Sequence, residues 1–242
     1  MTLDSLQTLV ISLPQSIDRQ EKVKVELSKT KLSWEFLEAV DGRKLSYPIP
    51  EYLPNKVQRL LGFQLTPNEI GCFLSHRKAW QVCINQNIPV LVFEDDFLLL
   101  PSFEEAIEIL LSKSEDWSLI RLQALVQSSD CLVKNYGKFS LMRNDNDPLG
   151  ATSYILQPSA AQLLVQYSNE IYEPLDHYLE HHQKHTVHML ALKPYPVDIT
   201  QVESTIADRP HDRKPTKGIK KISRSLYRQW DRLFSKNPWF PK

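Results

Sequence analysis

The chain has little glycine, 6 residues in 242, and only 3 cysteines. Neither Gly-x-Gly-x-x-Gly nor a Walker sequence occurs. A backbone cradle for phosphate is therefore excluded, and any phosphate must be met by side chains or by a cation. Cys72, Cys83 and Cys131 are odd in number and lack metal-ligand spacing, which speaks against a disulfide framework and suits a reducing compartment. No apolar run approaches the roughly 20 residues of a membrane span. A signal peptide is not expected either, because Asp4 interrupts the start and the run Leu9–Leu13 is too short. The net charge of +0 gives no global field for nucleic acid. Together these absences predict a cytoplasmic protein with no nucleic-acid partner.

What charge there is lies unevenly. Residues 209–242 carry +9 and residues 1–208 carry −9. The division predicts an acidic domain over 1–208 and a basic tail over 209–242. In the tail, Ile219, Ile222, Leu226, Trp230 and Leu233–Phe234 recur at steps of three and four between basic residues. That pattern suits an amphipathic helix lying on an anionic membrane surface, which would make the protein peripheral at the inner face of the cytoplasmic membrane. A solvated helix packed on the body is the plainer alternative.

The acidic part reads as alternating strands and helices. Thr8–Leu13 is a buried strand ended by Pro14. Asp18, with Glu21 three residues on, suggests a capping box for a helix to about Ser28. Trp34–Val40 follows as a strand closed by Asp41-Gly42, giving a βαβ opening with a parallel pair. Tyr47–Leu61 is expected to be loop. Thr66-Pro67-Asn68-Glu69 is a strong helix start, with Thr66 as cap, Pro67 at the first helical position and Glu69 reaching back. Helices are expected over Phe103–Ser112, from Pro158 and from Pro174. Strands are expected at Trp117–Gln123, Gly150–Gln157, His188–Leu192 and Val197–Val202, with a hairpin around Asn135-Tyr136-Gly137. The order predicts an α/β fold with a Rossmann-type, mostly parallel sheet.

The most informative stretch is Val90-Leu91-Val92-Phe93-Glu94-Asp95-Asp96. A continuous apolar run reads as a strand buried on both faces. Charge is not tolerated inside such a strand, so the three carboxylates must lie where it leaves the sheet, at the end where open α/β sheets bind ligands. Crowded there, they call for a positive partner, and a hard divalent cation such as Mn²⁺ or Mg²⁺ suits oxygen ligands. Alternation puts Glu94 and Asp96 on one side and Asp95 on the other. Asp96 is the expected direct ligand, Glu94 assists or holds a ribose, and Asp95 braces the others. Ser12 and Asp41 end the first two strands, where a nucleobase and ribose would dock. Arg19 is placed to counter a phosphate or to pair with Asp41.

Several stretches together resemble glycosyltransferase family 25. They are Val10-Ile11-Ser12-Leu13 with Arg19, Phe36–Gly42, the string Leu65-Thr66-Pro67-Asn68-Glu69-Ile70-Gly71-Cys72-Phe73-Leu74-Ser75-His76, and Val92-Phe93-Glu94-Asp95-Asp96. Gly150–Tyr154, Pro174-Leu175-Asp176 and Ser204-Thr205-Ile206 agree more loosely, and the resemblance covers about residues 8–206. It implies a GT-A-like fold, a nucleotide-sugar donor (often UDP-galactose), a divalent metal, usually Mn²⁺, and inverting transfer to a hydroxyl of a lipooligosaccharide or lipopolysaccharide glycan. It also implies that Glu94, Asp95 and Asp96 are the acidic metal motif and that Asp176 is the general base, although an Asp in a first helical turn also simply favours the helix dipole. Ser75 and His76 would lie near the donor diphosphate, while a helix histidine is more often packed and hydrogen-bonded. Tyr154 is expected either to line the acceptor cleft or to be core.

His177, His181, His182, His185 and His188 have the look of a zinc cluster, but His-only sites need converging geometry. His188 or a residue near Gln201 is a candidate to complete a Mn²⁺ shell. Two alternatives to a glycosyltransferase stand beside it. One is a metal-dependent nucleotidyltransferase, which would need the basic glycine-rich loop that is missing. The other is a non-catalytic glycan-binding or scaffold protein of the same fold.

Overall fold

The computed structural model describes residues 2–145 and 148–200. The strands are β1 Gln7–Ser12, β2 Trp34–Glu38, β3 Val90–Glu94, β4 Phe97–Leu99, β5 Leu119–Arg121, β6 Asp130–Tyr136, β7 Phe139–Asn144, β8 Ser153–Leu156, β9 Met189–Lys193 and β10 Val197–Ile199. The helices are α1 Ile17–Leu27, α2 Pro54–Leu61, α3 Pro67–Gln86, α4 Phe103–Ser112, α5 Pro158–Tyr167, α6 Leu175–Glu180 and α7 His182–His185. The fold is α/β.

Eight strands form one sheet in the order β2-β1-β3-β8-β5-β9-β7-β6, and β10 pairs with β4 in a separate ribbon. The sheet is mixed. β1 runs parallel to β2 and β3, and β5 runs parallel to β9. β8 enters antiparallel between β3 and β5, and the β6–β7 hairpin joins antiparallel through β9. The parallel opening expected from the first strands is therefore present.

Each face of the sheet has its own apolar layer. On one face Val92, Leu119 and Tyr154 meet Phe73 and Trp80 of α3 and Tyr178 of α6. On the other, Leu91, Phe93 and Ile120 meet Leu27 of α1 and Ile107 and Leu110 of α4. This is why β3 is apolar without alternation: Val90, Leu91, Val92 and Phe93 are all fully buried, between helices on both sides.

α3 positions much of the site, and its start is as expected. Thr66 Oγ1 accepts from the Glu69 amide at 3.2 Å, and the Glu69 carboxylate accepts from the Thr66 amide at 2.8 Å. Asn87, with φ 54, closes the helix. Two glycines set its distance from the sheet. A Cβ on Gly42 would lie 1.9 Å from the Pro67 carbonyl oxygen, and one on Gly71 would lie 2.5 Å from the Val40 oxygen. Only hydrogen fits at either position, so the turn after β2 and the first turns of α3 touch backbone to backbone.

Two expectations fail locally. Asp18 caps nothing: α1 starts at Ile17 behind Ser16, whose carbonyl takes the Arg19 and Gln20 amides, so Asp18 lies inside the first turn. The stretch expected to be loop through Leu61 contains α2. Pro54 occupies its first turn, Val57 and Leu60 are buried at a three-residue step, and Gly62 ends it at φ 81.

Candidate active site

The three carboxylates at the end of β3 go to three different environments. Glu94 faces α3. Its Oε1 receives His76 Nε2 at 3.3 Å and the Cys72 thiol at 3.7 Å, and its Oε2 receives the Thr152 hydroxyl at 3.4 Å. Asp95 faces α1, where its Oδ1 takes the Arg19 guanidinium at 2.7 Å and its Oδ2 takes the Ser12 hydroxyl at 2.7 Å. Asp95 thus braces the turn, and Arg19 pairs with it rather than with Asp41. Asp96 has a buried Oδ1 with no hydrogen-bond partner among the described residues. Its backbone carbonyl accepts both the amide of Thr200, at 2.8 Å, and the Thr200 hydroxyl, at 3.0 Å.

These environments separate the charges. Burial alone would raise the Glu94 carboxyl, but the hydrogen bond from His76, with help from Cys72 and Thr152, holds it below its ordinary 4.5. Burial, then the neighbouring Glu94 and Asp95 carboxylates, push Asp96 from 3.8 up to about 7, against the pull of Arg19. Adjacent carboxyls are thus poised in different charge states near neutrality, a pattern that marks functional sites.

His76 is fixed from behind. It is fully buried, and its Nδ1 lies 2.8 Å from Tyr154 Oη, which accepts from Trp80 Nε1 at 2.9 Å. Trp can only donate, so the tyrosine proton is available to Nδ1, leaving Nε2–H directed at Glu94. Tyr154 is fully buried, so it belongs to the core and does not line a cleft. Ser75 is turned inward as well: its hydroxyl accepts from the Val40 amide at 2.8 Å and donates to the Gly71 carbonyl at 2.7 Å. The accepted bond ties α3 to the turn after β2, and the donated one returns to the backbone of α3 itself.

Asp41 and Asp176 lie apart from this network. Asp41 accepts from Arg43 Nε at 2.9 Å and from Gln15 Nε2 at 3.1 Å, tying the loops after β1 and β2 together, and the Arg43 hydrogen bond holds its carboxyl down at about 2. Asp176 is in the first turn of α6, where its Oδ1 accepts from the His177 amide at 3.0 Å. No hydrogen bond or ion pair among the described residues joins it to the carboxylates of β3. α6 packs on the same sheet face as Glu94, through Tyr178 against Phe73 and Trp80.

The histidine-rich stretch does not assemble. His181 Nδ1 pairs with Glu173 at 3.1 Å. His185 is buried between the Tyr178 carbonyl and the Val187 amide, and burial pushes it down to about 4. The His182 and His188 rings pack against each other, tilted by 31°, with centroids 4.5 Å apart. Among the described residues no three of these histidines converge. Gln201, Ser204–Ile206 and the tail 209–242 lie outside the described residues.

One polar residue escaped sequence reading. The Glu94 amide donates to the Thr152 carbonyl at 2.8 Å and the Leu122 amide donates to the Ser153 carbonyl at 3.1 Å, so β3, β8 and β5 stay in register past their assigned ends. Glu94, Thr152 and Gln123 therefore form one row across three strands on the α3 face. Gln123 is 2% exposed, and neither end of its amide has a partner among the described residues. A lone glutamine after a strand gives no pattern by which to find it; only the register does.

The family model for Glycosyltransferase family 25 (LPS biosynthesis protein) matches residues 5–179, across both the α3 string and the β3 carboxylates. The chain belongs to glycosyltransferase family 25. Among its family 25 relatives is the lipooligosaccharide biosynthesis protein lic2B of Haemophilus influenzae, 29% identical over 64% of this chain and 60% of that protein. Procollagen galactosyltransferase 1 of Danio rerio is 23% identical over 84% of this chain and 38% of its own length. A bovine relative, 33% identical over 48% of this chain and 21% of that protein, is described as a probable inactive glycosyltransferase 25 family member 3. The chain thus spans less than two thirds of each of these relatives. A solved glycosyltransferase involved in glycosylation of the major capsid of PBCV-1 superposes with a TM-score of 0.40 at 8% identity, over 77% of this chain and 80% of that one.

Proposed function

We propose that the protein is a metal-dependent glycosyltransferase of lipopolysaccharide or lipooligosaccharide assembly. It transfers a sugar, galactose from UDP-galactose, with inversion to a hydroxyl of the growing glycan. The observation that carries this reading is the split of the β3 carboxylates. Asp95 is neutralised by Arg19, Glu94 is kept ionised by His76, and Asp96 presents a buried oxygen without a partner among the described residues.

That oxygen fits a hard divalent cation, Mn²⁺ or Mg²⁺, because such ions take carboxylate oxygens. Asp96 would be the direct ligand, and Glu94, which keeps about one lone pair on Oε2 beyond its protein donors, would assist. When bound, such an ion supplies charge neutralisation for a departing nucleoside diphosphate. The chain's own residues set that up. Arg19 and Ser12 lock Asp95 and so hold the turn in shape. The loops tied by Gln15 and Asp41 flank the ends of β1 and β2, where a uridine and ribose would sit. Asp176 on α6 is assigned as the base that takes the acceptor proton.

The test is nucleoside diphosphate release from a panel of nucleotide sugars, with Mn²⁺ and with chelator, and with a deacylated lipooligosaccharide acceptor. Turnover that needs metal, vanishes in Asp96→Ala and stops in Asp176→Asn while donor binding survives is the expected result. Normal transfer by Asp176→Asn would remove the base assignment. The inactive relatives motivate a second reading, a glycan-binding protein of the same fold. It predicts acceptor binding with no donor binding and no turnover under any metal.

A further inference from the structure

We propose that Cys72, His76 and Glu94 form a second cation site, of soft character, that takes Zn²⁺. One ligand atom from each residue lies within 4.8 Å of the other two. The separations resolve further: His76 Nε2 to Glu94 Oε1 is 3.3 Å, and Cys72 Sγ to the same oxygen is 3.7 Å. A tetrahedral Zn²⁺ with ordinary Zn–N, Zn–O and Zn–S bonds would hold such pairs roughly 3.3 and 3.6 Å apart. Two of the three separations, both to Glu94 Oε1, therefore already match coordination spacing, and the third pair lies within 4.8 Å.

The surroundings favour this ion over a hard one. Cys72 and His76 are one helical turn apart on α3, so both project from one face. Thiolate and imidazole select zinc, whereas Mn²⁺ and Mg²⁺ prefer carboxylate oxygens such as the buried Oδ1 of Asp96; Glu94 would give Oε1 to the zinc and keep Oε2 for the hard ion. The outer shell is in place as well. The His76 ring is held at Nδ1 by Tyr154 Oη, itself held by Trp80 Nε1, which fixes the ring orientation; the same oxygen can accept from Nδ1–H once the ring proton leaves Nε2. Cys72 and the Glu94 side chain, 29% exposed, keep the site open to solvent on one side, while His76 closes it on the other. Three protein ligands leave a fourth position for water.

The proton balance is simple. On binding, Cys72 releases its thiol proton to solvent. The neutral imidazole of His76 carries its one proton on Nδ1, donated to Tyr154 Oη, instead of on Nε2. Tyr154 keeps its own proton, and its oxygen accepts from both His76 and Trp80. No oxidant, reductant or other reactant is needed.

The site is tested with the full chain, without any assay of sugar transfer. Chelator-treated protein is titrated with Zn²⁺ against a chromophoric chelator and, separately, with Co²⁺ while the thiolate-to-cobalt charge-transfer band is followed. We expect one Zn²⁺ per chain, a cobalt band, and loss of both in Cys72→Ser. Cys131→Ser should bind like the wild type. Tyr154→Phe should weaken Zn²⁺ by about 10- to 100-fold while keeping the cobalt band. Cys72→Ala serves if Cys72→Ser does not fold. Stoichiometric zinc that survives loss of Cys72, a cobalt complex without the thiolate band, or binding that depends on Cys131 overturns the proposal.

Discussion

Asp96 makes a quantitative demand on stability. Its carboxyl is pushed from 3.8 to about 7 by burial and by its acidic neighbours. Between those two values the folded protein holds a proton that the unfolded chain has released. The term ν_U − ν_N is therefore negative, and stability falls as pH rises. The contribution of Asp96 is complete below about 3.8 and is gone above about 7. Asp96→Asn replaces the carboxyl by a neutral group of the same shape and has no such dependence. At about 1.4 kcal/mol per pH unit, the advantage of the variant should grow by at most ~3 kcal/mol between pH 5 and pH 8. Asp96 is partly exposed, so water screens the charge and about 2 kcal/mol is the working figure. For a chain of this size that is roughly 4–8 °C in Tm. The assay is denaturant unfolding of wild type and variant with EDTA, at pH 5 and pH 8. A gap that stays constant with pH, or a variant less stable at pH 8, would refute the assigned environment of Asp96.

Three other outcomes are expected. Gln123→Leu removes a buried amide that has no partner among the described residues, so it should raise stability by about 1–2 kcal/mol in a denaturant melt; a loss instead would mean that the amide is paired. Tyr154→Phe leaves Trp80 Nε1 and His76 Nδ1 without their shared partner in a dry core, and should cost about 2–3 kcal/mol by the same measurement. Deleting residues 209–242 removes a net +9 and should abolish sedimentation with vesicles of anionic lipid at low salt; unchanged binding would end the membrane proposal.

Much of the site was legible in the sequence because its signals are local. An uninterrupted apolar run ending in Glu94-Asp95-Asp96 can be placed only as a covered strand with its charges at the exit, and that is where β3 puts them. The Thr66–Glu69 box needs just four residues to announce a helix, and α3 starts there. The separate directions of Glu94 and Asp95 follow from pleating alone. What stayed hidden depends on partners far along the chain. Asp95 meets Arg19 across 76 positions and Tyr154 meets His76 across 78, so no window of sequence contains either pair. The Cys72–His76–Glu94 cluster spans only 22 positions, but it joins a helix face to a strand end, and no cysteine spacing announces so mixed a set. α2 was a different failure. Its signals, Pro54, Val57, Leu60 and Gly62, are local, but the proline-rich stretch before it masked them. The histidine stretch shows the converse: close spacing in sequence gives no convergence in space, because His181, His185 and His188 each take a different partner.

The two hydrogen bonds from Thr200 to the Asp96 carbonyl have a consequence for the order in which the protein can be made. They join residues 104 positions apart at one backbone oxygen. A chain emerging from its N-terminus has all three carboxylates long before it has Thr200. Closing so long a segment carries an entropic cost that is met only when β10 has docked on β4. A nascent chain halted at Pro196 would hold every acidic residue of the site and still lack the clasp that keeps Asp96 in place. Asp96 is therefore the last of the three to become secure, although Arg19, Ser12 and His76, which hold Asp95 and Glu94, are all synthesised before it.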